Sequence, residues 1–362
     1  MFSLQNLSLY NFKNYAECIA TFCPAINCIV GANGVGKTNM LDAIYYLSLS
    51  KSAFNSQDMH SIKHGEEIFV VTGKFELASK QHQIICGVQQ GQKKILKLDQ
   101  QPYQKFTDHV GLFPVVLIAP QDHELITEGS EERRKFFDSI ISQIDHAYML
   151  NLVQYNHYLK QRNALLKQAK EKGIWDNDLL ATYDSLLLPL AQQIFTRREA
   201  FIAQLLPTFL AHYQYLTEGA EFVTIRYSSD VADKHFTKQF TDNLRKDFEL
   251  QRTTLGIHRD DYEFILGDYS LKKFGSQGQQ KSFLIALKLA HFAVIYTQKN
   301  IKPILLLDDI FDKLDDKRIA KLLEMVARQD FGQIILTDAR PERSREILQH
   351  LAVEKRFISL PL

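Results

Sequence analysis

Residues 31–38 read Gly31-Ala32-Asn33-Gly34-Val35-Gly36-Lys37-Thr38, between an apolar stretch at 26–30 and an amphipathic segment at 40–47. This is the pattern of a phosphate-binding loop that joins a strand to a helix. The glycines let backbone N–H groups approach a phosphate, Lys37 offers a positive charge to the β- and γ-phosphates, and Thr38 offers a hydroxyl to Mg²⁺. The stretch therefore predicts that the chain binds a nucleoside triphosphate such as ATP.

A second segment, far along the chain, complements the loop. Residues 304–309 read Ile304-Leu305-Leu306-Leu307-Asp308-Asp309, an apolar run that ends in two carboxylates. Such a run indicates a buried strand, and carboxylates at its end suit a metal ligand and a neighbour that positions water. We therefore expect Asp308 to support Mg²⁺ and Asp309 to take part in hydrolysis.

Composition places the chain among ordinary globular proteins. It has 362 residues, 45% hydrophobic and 23% charged, with a formal net charge of +1. The near-neutral charge predicts that any nucleic-acid surface is a local patch. No apolar run approaches the ~20 residues that span a bilayer, and residues 1–5 do not resemble a signal peptide. The four cysteines lack paired spacing and are expected to be buried reduced thiols, so the predicted location is the cytoplasm.

Hydrophobic periodicity divides the chain. Alternation over 2–9, 68–77 and 83–88 predicts strands, whereas a helical period from about 131 to 171 predicts long amphipathic helices. Residues 172–178 read as a turn in which Asp176 or Asp178 caps the next helix. That helix is expected to kink or break at Pro189 and Pro207. Together the segments predict a helical hairpin.

The remainder returns to alternating strands and helices. Strands are predicted over 221–227, 262–266 and 333–337, and helices over 237–250, 278–296 and 317–328. The phosphate loop and the strand before Asp308 should therefore belong to one α/β body that a helical lobe interrupts.

Residues 274–282, Phe274-Gly275-Ser276-Gln277-Gly278-Gln279-Gln280-Lys281-Ser282, lie at a predicted helix start. Taken alone, they also fit a plain N-cap at Ser276 or a glycine-rich turn. They resemble the signature loop of the ABC-type ATPases, and a helix N-terminus suits a terminal phosphate. The resemblance implies that Ser276, Gly278 and Gln279 meet the γ-phosphate of a second copy, so that two heads sandwich two ATP molecules about a two-fold axis.

The same resemblance assigns the carboxylates. Asp308 matches the Mg²⁺-supporting Asp, and Asp309 stands where most relatives carry Glu. Because Asp is one methylene shorter, the resemblance implies slow hydrolysis. Residues 312–315, Asp312-Lys313-Leu314-Asp315, are similar to the D-loop.

Two further positions are assigned less fully. Gln121 or Asp122, in Ile118-Ala119-Pro120-Gln121-Asp122, would sense the γ-phosphate. Thr337-Asp338 occupies the place of a switch histidine that this sequence lacks.

Within this superfamily the chain resembles the RecF family of bacterial recombination mediators along essentially its whole length. The motifs that carry the resemblance are residues 9–15 (Leu9-Tyr10-Asn11-Phe12-Lys13-Asn14-Tyr15), 127–129 (Thr127-Glu128-Gly129), 131–138, 256–261 (Gly256-Ile257-His258-Arg259-Asp260-Asp261) and 276–281. One departure stands out, because after Lys51-Ser52 relatives usually carry a basic residue near the position of Phe54-Asn55.

The resemblance implies an ABC-type ATPase head of mixed β-sheets around the phosphate loop, formed by 1–118 plus 256–362, with an inserted α-helical lobe at 119–255. It implies an ATP-dependent DNA-binding protein of replication and recombinational repair within the DNA-damage (SOS) response. ATP with Mg²⁺ would drive homodimerisation, and weak DNA-stimulated ATPase activity would make the dimer a molecular switch. The dimer would bind single-stranded and gapped DNA and help to load RecA with RecR- and RecO-type partners. The resemblance implies no membrane partner.

The sequence itself offers only local basic clusters for DNA. Arg133, Arg134 and Lys135 begin a predicted helix, and the pairs 197–198 and 272–273 lie elsewhere. On one face of a dimer they could contact phosphates. The alternative for each cluster is a solvated helix face.

Other classes fit less well. Nucleotide-binding subunits of membrane transporters are shorter and carry the switch histidine. SMC-type proteins with long arms sustain apolar heptads over many repeats, whereas the predicted helices here form a stub. A nuclease would need a carboxylate cluster for two metals outside the ATP site, and a kinase would need a second substrate pocket.

Overall fold

The computed structural model describes residues 2–173, 176–219, 221–313, 316–328 and 330–360. They form two compact units, one of Met1–Asp122 with Phe283–Leu362 and one of His123–Ser282. The first division lies close to the predicted one after residue 118. The second does not, because residues 256–282 belong to the unit that contains the helical lobe.

The strands in chain order are β1 (Phe2–Phe12), β2 (Tyr15–Thr21), β3 (Ile26–Val30), β4 (Ile68–Leu77), β5 (Lys80–Gln89), β6 (Ile95–Leu98), β7 (Gln101–Pro102), β8 (Val115–Ile118), β9 (Val223–Ser228), β10 (Asp261–Leu266), β11 (Tyr269–Ser270), β12 (Ile304–Leu307), β13 (Ile334–Asp338) and β14 (Lys355–Ser359). The helices are α1 (Lys37–Leu49), α2 (Glu124–Thr127), α3 (Ser130–Ile144), α4 (His146–Lys172), α5 (Asn177–Thr217), α6 (Phe236–Asp242), α7 (Leu244–Leu250), α8 (Leu271–Phe274), α9 (Gln277–Lys299), α10 (Ile310–Lys313), α11 (Asp316–Ala327) and α12 (Pro341–Leu348). The predicted α/β class is confirmed.

The first unit contains two sheets. One has the order β2-β1-β4-β5-β6-β7 and pairs antiparallel. The other has the order β14-β3-β13-β12-β8 and pairs parallel. Because parallel strands end at the same edge, the loops after β3, β12 and β13 meet there, which is where open α/β sheets bind ligands.

Helix α1 packs its apolar side into the core of the first unit. Its buried residues include Met40, Leu41, Ile44 and Leu47, the positions whose spacing predicted the helix. Every residue of β3 is buried, as expected of a strand inside a parallel sheet. The phosphate loop therefore stands between two elements fixed by burial.

The second unit contains the predicted helical hairpin, formed by α4 and α5. Gly173 ends α4 in the left-handed region, with φ 66°, and Asp176 caps α5 by accepting a hydrogen bond of 2.9 Å from the Leu179 N–H. Residues 174 and 175 of the predicted turn lie outside the described residues. Of the expected kink or break, the break is wrong, because one helix of 41 residues runs through both Pro189 and Pro207.

A three-stranded sheet, ordered β11-β10-β9, completes the second unit. Antiparallel pairing of β10 with β9 ties residues 261–266 to the lobe, which is why the division falls after residue 282 and not at 256. The helix predicted over 237–250 is two helices, α6 and α7. Asn243 lies between them and donates 2.8 Å and 2.6 Å hydrogen bonds to Asp247 and Thr254, local bonds that compete with a continuous helix.

In the described ranges, no helix combines the length and the apolar character that crossing a membrane would require.

Candidate nucleotide site

The phosphate loop turns sharply into α1. Gly36 adopts φ 110° and Gly34 φ 86°, values in the left-handed region that favour glycine. The buried Lys37 extends across the loop, where its Nζ donates to the carbonyl oxygens of Gly31 at 2.9 Å and Ala32 at 3.0 Å. Backbone N–H groups at the start of α1 and the Lys37 ammonium thus lie together at the phosphate loop.

Thr38 and Asp308, the two residues predicted to bind Mg²⁺, lie in contact. The Thr38 Oγ1 lies 2.9 Å from each carboxylate oxygen of Asp308, which follows β12. The Asp308 N–H donates to the Ile118 carbonyl at 2.8 Å, so the backbone that carries the carboxylate is fixed to β8. Burial raises the pKa of Asp308, whereas hydrogen bonds from Thr337 and Thr38 act in the opposite direction.

Thr337 was predicted only as the substitute for a missing histidine, and its contacts are more specific. At the end of β13, its buried Oγ1 donates to Asp308 Oδ1 at 2.8 Å and accepts the Asp309 N–H at 2.9 Å. Asp309 has φ 46°, an unusual conformation for a non-glycine residue. One hydroxyl therefore joins both carboxylate residues, and no sequence pattern could assign it that role.

Asp338, the neighbour of Thr337, has a different task. Its carboxylate accepts the Arg340 N–H at 3.0 Å and the Ser344 hydroxyl, and it is buried. These contacts hold the start of α12.

The donor set fits Mg²⁺ held together with phosphate oxygens. Among the residues described, no group of three or more His, Cys, Asp or Glu side chains could hold a metal. Mg²⁺ characteristically binds through one or two protein groups plus substrate phosphates and water. The Thr38 hydroxyl and the Asp308 carboxylate supply such oxygens next to the phosphate loop.

The two candidates for the γ-phosphate sensor differ in their contacts. Asp122 accepts the Ala119 N–H at 2.8 Å through Oδ2, and its Oδ1 lies 2.5 Å from the Lys288 ammonium. Gln121 is exposed. Both oxygens of Asp122 are thus engaged within the first unit, which favours Gln121 as the residue that reaches a ligand.

The signature loop lies in the second unit and begins α9. Ser276 and Gln279 form a capping box, in which the Ser276 N–H donates to Gln279 Oε1 at 2.6 Å and Ser276 Oγ accepts the Gln279 N–H at 3.3 Å. Gln279 also donates to Glu221 at 2.6 Å. Ser276 therefore does serve as a plain N-cap of α9. The exposed Ser276 and the partly buried Gly278 remain candidates for a phosphate contact.

The predicted D-loop is only partly within the described residues. Asp312 and Lys313 end α10, and positions 314 and 315 lie outside.

The basic cluster at the start of α3 makes internal contacts. Arg133 donates to both oxygens of Asp261, at 2.8 Å and 3.0 Å, and to the carbonyls of Leu125 and Glu128, both at 3.1 Å. Arg134 donates to the Asp260 carbonyl at 2.6 Å. Lys135 is exposed and pairs with Glu131 and Glu132 at 2.9 Å and 2.8 Å. Of the three predicted DNA contacts, Lys135 is the one whose side chain faces solvent.

Arg198, one of the mid-helix basic residues, is buried. It pairs with Asp138 at 2.9 Å and Asp260 at 2.6 Å and donates to the Ile257 carbonyl at 2.8 Å. The solvated-face interpretation was therefore wrong for Arg198. We call Arg133, Asp138, Arg198, Asp260 and Asp261 the lobe-base network, since it joins the beginning of the lobe at α3 to its end at β10.

The parallel sheet, the phosphate loop, and the Thr38–Asp308 pair define an ATPase head of the ABC and SMC type. The family model described as RecF/RecN/SMC N terminal domain matches residues 3–356. The Smc head domain of Pyrococcus furiosus, with an extended coiled coil, has a TM-score of 0.56 at 17% identity, covering 100% of this chain and 94% of that chain, and so shares the fold.

More similar proteins narrow the class. The DNA replication and repair protein RecF of Flavobacterium johnsoniae is 48% identical over 346 residues, 96% of this chain and 96% of that protein. The corresponding protein of Cytophaga hutchinsonii is 43% identical over 346 residues, 96% of this chain and 92% of that protein. A solved structure of the recombination mediator protein RecF-ATP of the RecFOR pathway has a TM-score of 0.87 at 30% identity, covering 94% of this chain and 93% of that chain. The chain belongs to the RecF family.

Proposed function

We propose that this chain is an ATP-dependent DNA-binding switch of DNA replication and recombinational repair. The observation that carries the proposal is the meeting of Thr38 with Asp308 beside the phosphate loop, at 2.9 Å. The solved RecF-ATP structure, at TM-score 0.87, supports the identity of the nucleotide.

The site residues divide the work. Backbone N–H groups of the loop and the Lys37 ammonium bind the phosphates, and Thr38 and Asp308 hold Mg²⁺, which neutralises charge on the phosphate oxygens. Asp309 orients the attacking water, and its short side chain keeps hydrolysis slow. Gln121 senses the γ-phosphate. The enzyme activity is a weak ATPase that DNA stimulates.

ATP binding closes a homodimer in which Ser276 and Gly278 of one copy contact the γ-phosphate held by the other. Next to that loop, Phe274 is 64% exposed and Tyr269 61% exposed, and their rings lie 5.1 Å apart between centroids. Paired aromatic side chains with this exposure are characteristic of surfaces that a partner covers. We assign them to contact with the second copy.

The dimer holds single-stranded and gapped DNA chiefly through phosphates and works with RecR- and RecO-type proteins in loading RecA. The assignment to this pathway rests on the RecF relatives. Lys135 and the exposed Lys272 and Lys273 of α8 are cationic side chains available for such contacts. Binding through phosphates predicts a log–log salt slope of about −0.9 per contact on duplex DNA.

The proposal is tested by sedimentation of wild-type protein and the Lys37→Met variant, with and without Mg²⁺–ATP and then with gapped DNA. Wild-type protein should dimerise with ATP and bind DNA, whereas Lys37→Met should stay folded, bind ATP weakly and remain monomeric. Lys105→Met, a change at an exposed lysine, serves as the matched control. Wild-type ATP affinity in the Lys37→Met variant would overturn the site assignment, and ATP-independent DNA binding would overturn the switch.

A further inference from the structure

The turn between β1 and β2 contacts the phosphate loop through two side chains. Asn14 Nδ2 donates to the Val35 carbonyl at 2.9 Å, and the Tyr15 hydroxyl donates to the Gly36 carbonyl at 2.9 Å. The approach is close enough that a Cβ on Gly36 would lie 2.6 Å from Asn14 Nδ2 and 2.9 Å from Tyr15 Cζ. Glycine at 36 is therefore required both by its φ of 110° and by these two neighbours.

These contacts determine where the loop N–H groups point. In a planar trans peptide the C=O of one residue and the N–H of the next point in opposite directions. The Val35 carbonyl shares a peptide unit with the Gly36 N–H, and the Gly36 carbonyl shares one with the Lys37 N–H. Asn14 holds the Val35 carbonyl, and Tyr15 holds the Gly36 carbonyl together with the Met40 N–H, which donates to it at 3.0 Å. The Gly36 and Lys37 N–H groups therefore point away from these partners, as donors for an anion.

The turn is itself held in place from several sides. Asn39 of α1 donates to Asn14 Oδ1 at 2.8 Å, and Lys63 donates to the Asn14 carbonyl at 3.2 Å. The Lys13 ammonium lies 2.6 Å from the buried carboxylate of Asp42, also in α1. Burial raises the pKa of Tyr15, so its hydroxyl stays protonated and acts as a donor at physiological pH. We call Asn14 and Tyr15 the Asn14–Tyr15 brace, which these contacts fix at several points within the first unit.

We propose that Asn14 and Tyr15 are positioning residues for nucleotide binding, which orient the Gly36 and Lys37 N–H groups toward the phosphates. The inference rests on the proposed function, since it deepens the account of the same site. It predicts that removing the Tyr15 hydroxyl weakens binding of any nucleotide with a β-phosphate, and that it does so without unfolding the protein.

The test compares Tyr15→Phe with wild-type protein in titrations with ATP and with ADP. Loss of one such hydrogen bond should raise Kd about three- to tenfold for both nucleotides. The matched control is Tyr10→Phe, which removes a hydroxyl from a half-exposed tyrosine of β1. Asn14→Ala should act in the same direction, and amide hydrogen exchange at residues 35–38 should accelerate in both variants without ligand.

The outcomes are distinct. Wild-type protein that fails to bind ATP would overturn the proposed function. If Tyr15→Phe and Asn14→Ala both bind ATP and ADP with the Kd of wild-type protein, this inference alone would be overturned. A lower melting temperature with unchanged Kd would assign the two bonds to folding and would also overturn it.

Discussion

Replacing Thr337 by valine removes one hydroxyl while nearly keeping the side-chain shape. That hydroxyl donates to Asp308 at 2.8 Å and accepts the Asp309 N–H at 2.9 Å, in a buried environment. A hydrogen bond to a charged group contributes about 1.5–3 kcal/mol and a neutral one about 0.5–1.5 kcal/mol. If the whole free energy of the hydrogen bond to Asp308 is lost from Mg²⁺ binding, Mg²⁺-dependent ATP affinity falls by about 10- to 100-fold.

Two further effects of the Thr337→Val change also weaken Mg²⁺–ATP binding or hydrolysis. The hydrogen bond from Thr337 lowers the pKa of Asp308, so its loss raises that pKa further and lets protonation compete with Mg²⁺ at higher pH. The loss also releases the backbone of Asp309, whose φ of 46° the hydroxyl helps to hold, and hydrolysis should fall more than binding.

The assay is calorimetric titration with ATP, with and without Mg²⁺, together with single-turnover hydrolysis. Thr337→Ser is the matched control, because it keeps the hydroxyl and should retain most of both activities. Affinity without Mg²⁺ should change little in either variant. The reasoning fails if Thr337→Val binds Mg²⁺–ATP and cleaves it as wild-type protein does.

Three other perturbations test separate parts of the structure. Arg198→Met leaves the buried Asp260 and the partly buried Asp138 without their cation and should cost about 3–5 kcal/mol of unfolding free energy, measured by urea denaturation. A loss below about 1 kcal/mol would show that the lobe-base network contributes little. Burial lowers the pKa of His258 from 6.5 to about 4, so the folded state binds fewer protons than the unfolded state between these values, and the stability present above pH 6.5 should decline by about 3 kcal/mol as pH falls to 4. His258→Gln should flatten that decline relative to wild-type protein, and parallel curves would contradict the assignment. Phe274→Ser should preserve ATP binding but weaken ATP-dependent dimerisation about tenfold or more, as measured by light scattering. The control Val153→Ser, a change at an exposed residue of α4, should leave dimerisation unchanged. Unaltered dimers of Phe274→Ser would place the contact elsewhere.

The parts of the fold that the sequence predicts well are those with local causes. Glycines with positive φ, an apolar strand before them and an apolar helix face after them suffice for the phosphate loop and α1. The Asp176 cap and the strand at 68–77 were likewise confirmed, because caps and period-two alternation depend on neighbours in the chain.

Interactions between distant residues escaped prediction. The sequence offers Arg133 as a candidate DNA contact and gives no sign that its side chain pairs with Asp261, 128 residues away. Pro189 and Pro207 should break a helix on local grounds, yet α5 is continuous because buried residues such as Leu187, Leu190 and Ile194 pack along the hairpin. Packing of this kind outweighs a helix penalty of about 3 kcal/mol per proline. The Thr337 contacts and the Asn14–Tyr15 brace were missed for the same reason.

The lobe-base network also decides which part of the lobe could change length. The network fixes α3 to β10 within the second unit, while the far end of the hairpin is closed by a glycine with φ 66° at 173 and by the Asp176 cap. Whole turns added to α4 and α5 together at that end would leave every contact of the network in place. Since each doubling of a closed loop costs only about 0.6 kcal/mol, the physical barrier to lengthening is small. A short hairpin of this design is therefore one from which an arm as long as that of an Smc protein could grow by successive insertions, with its base unaltered.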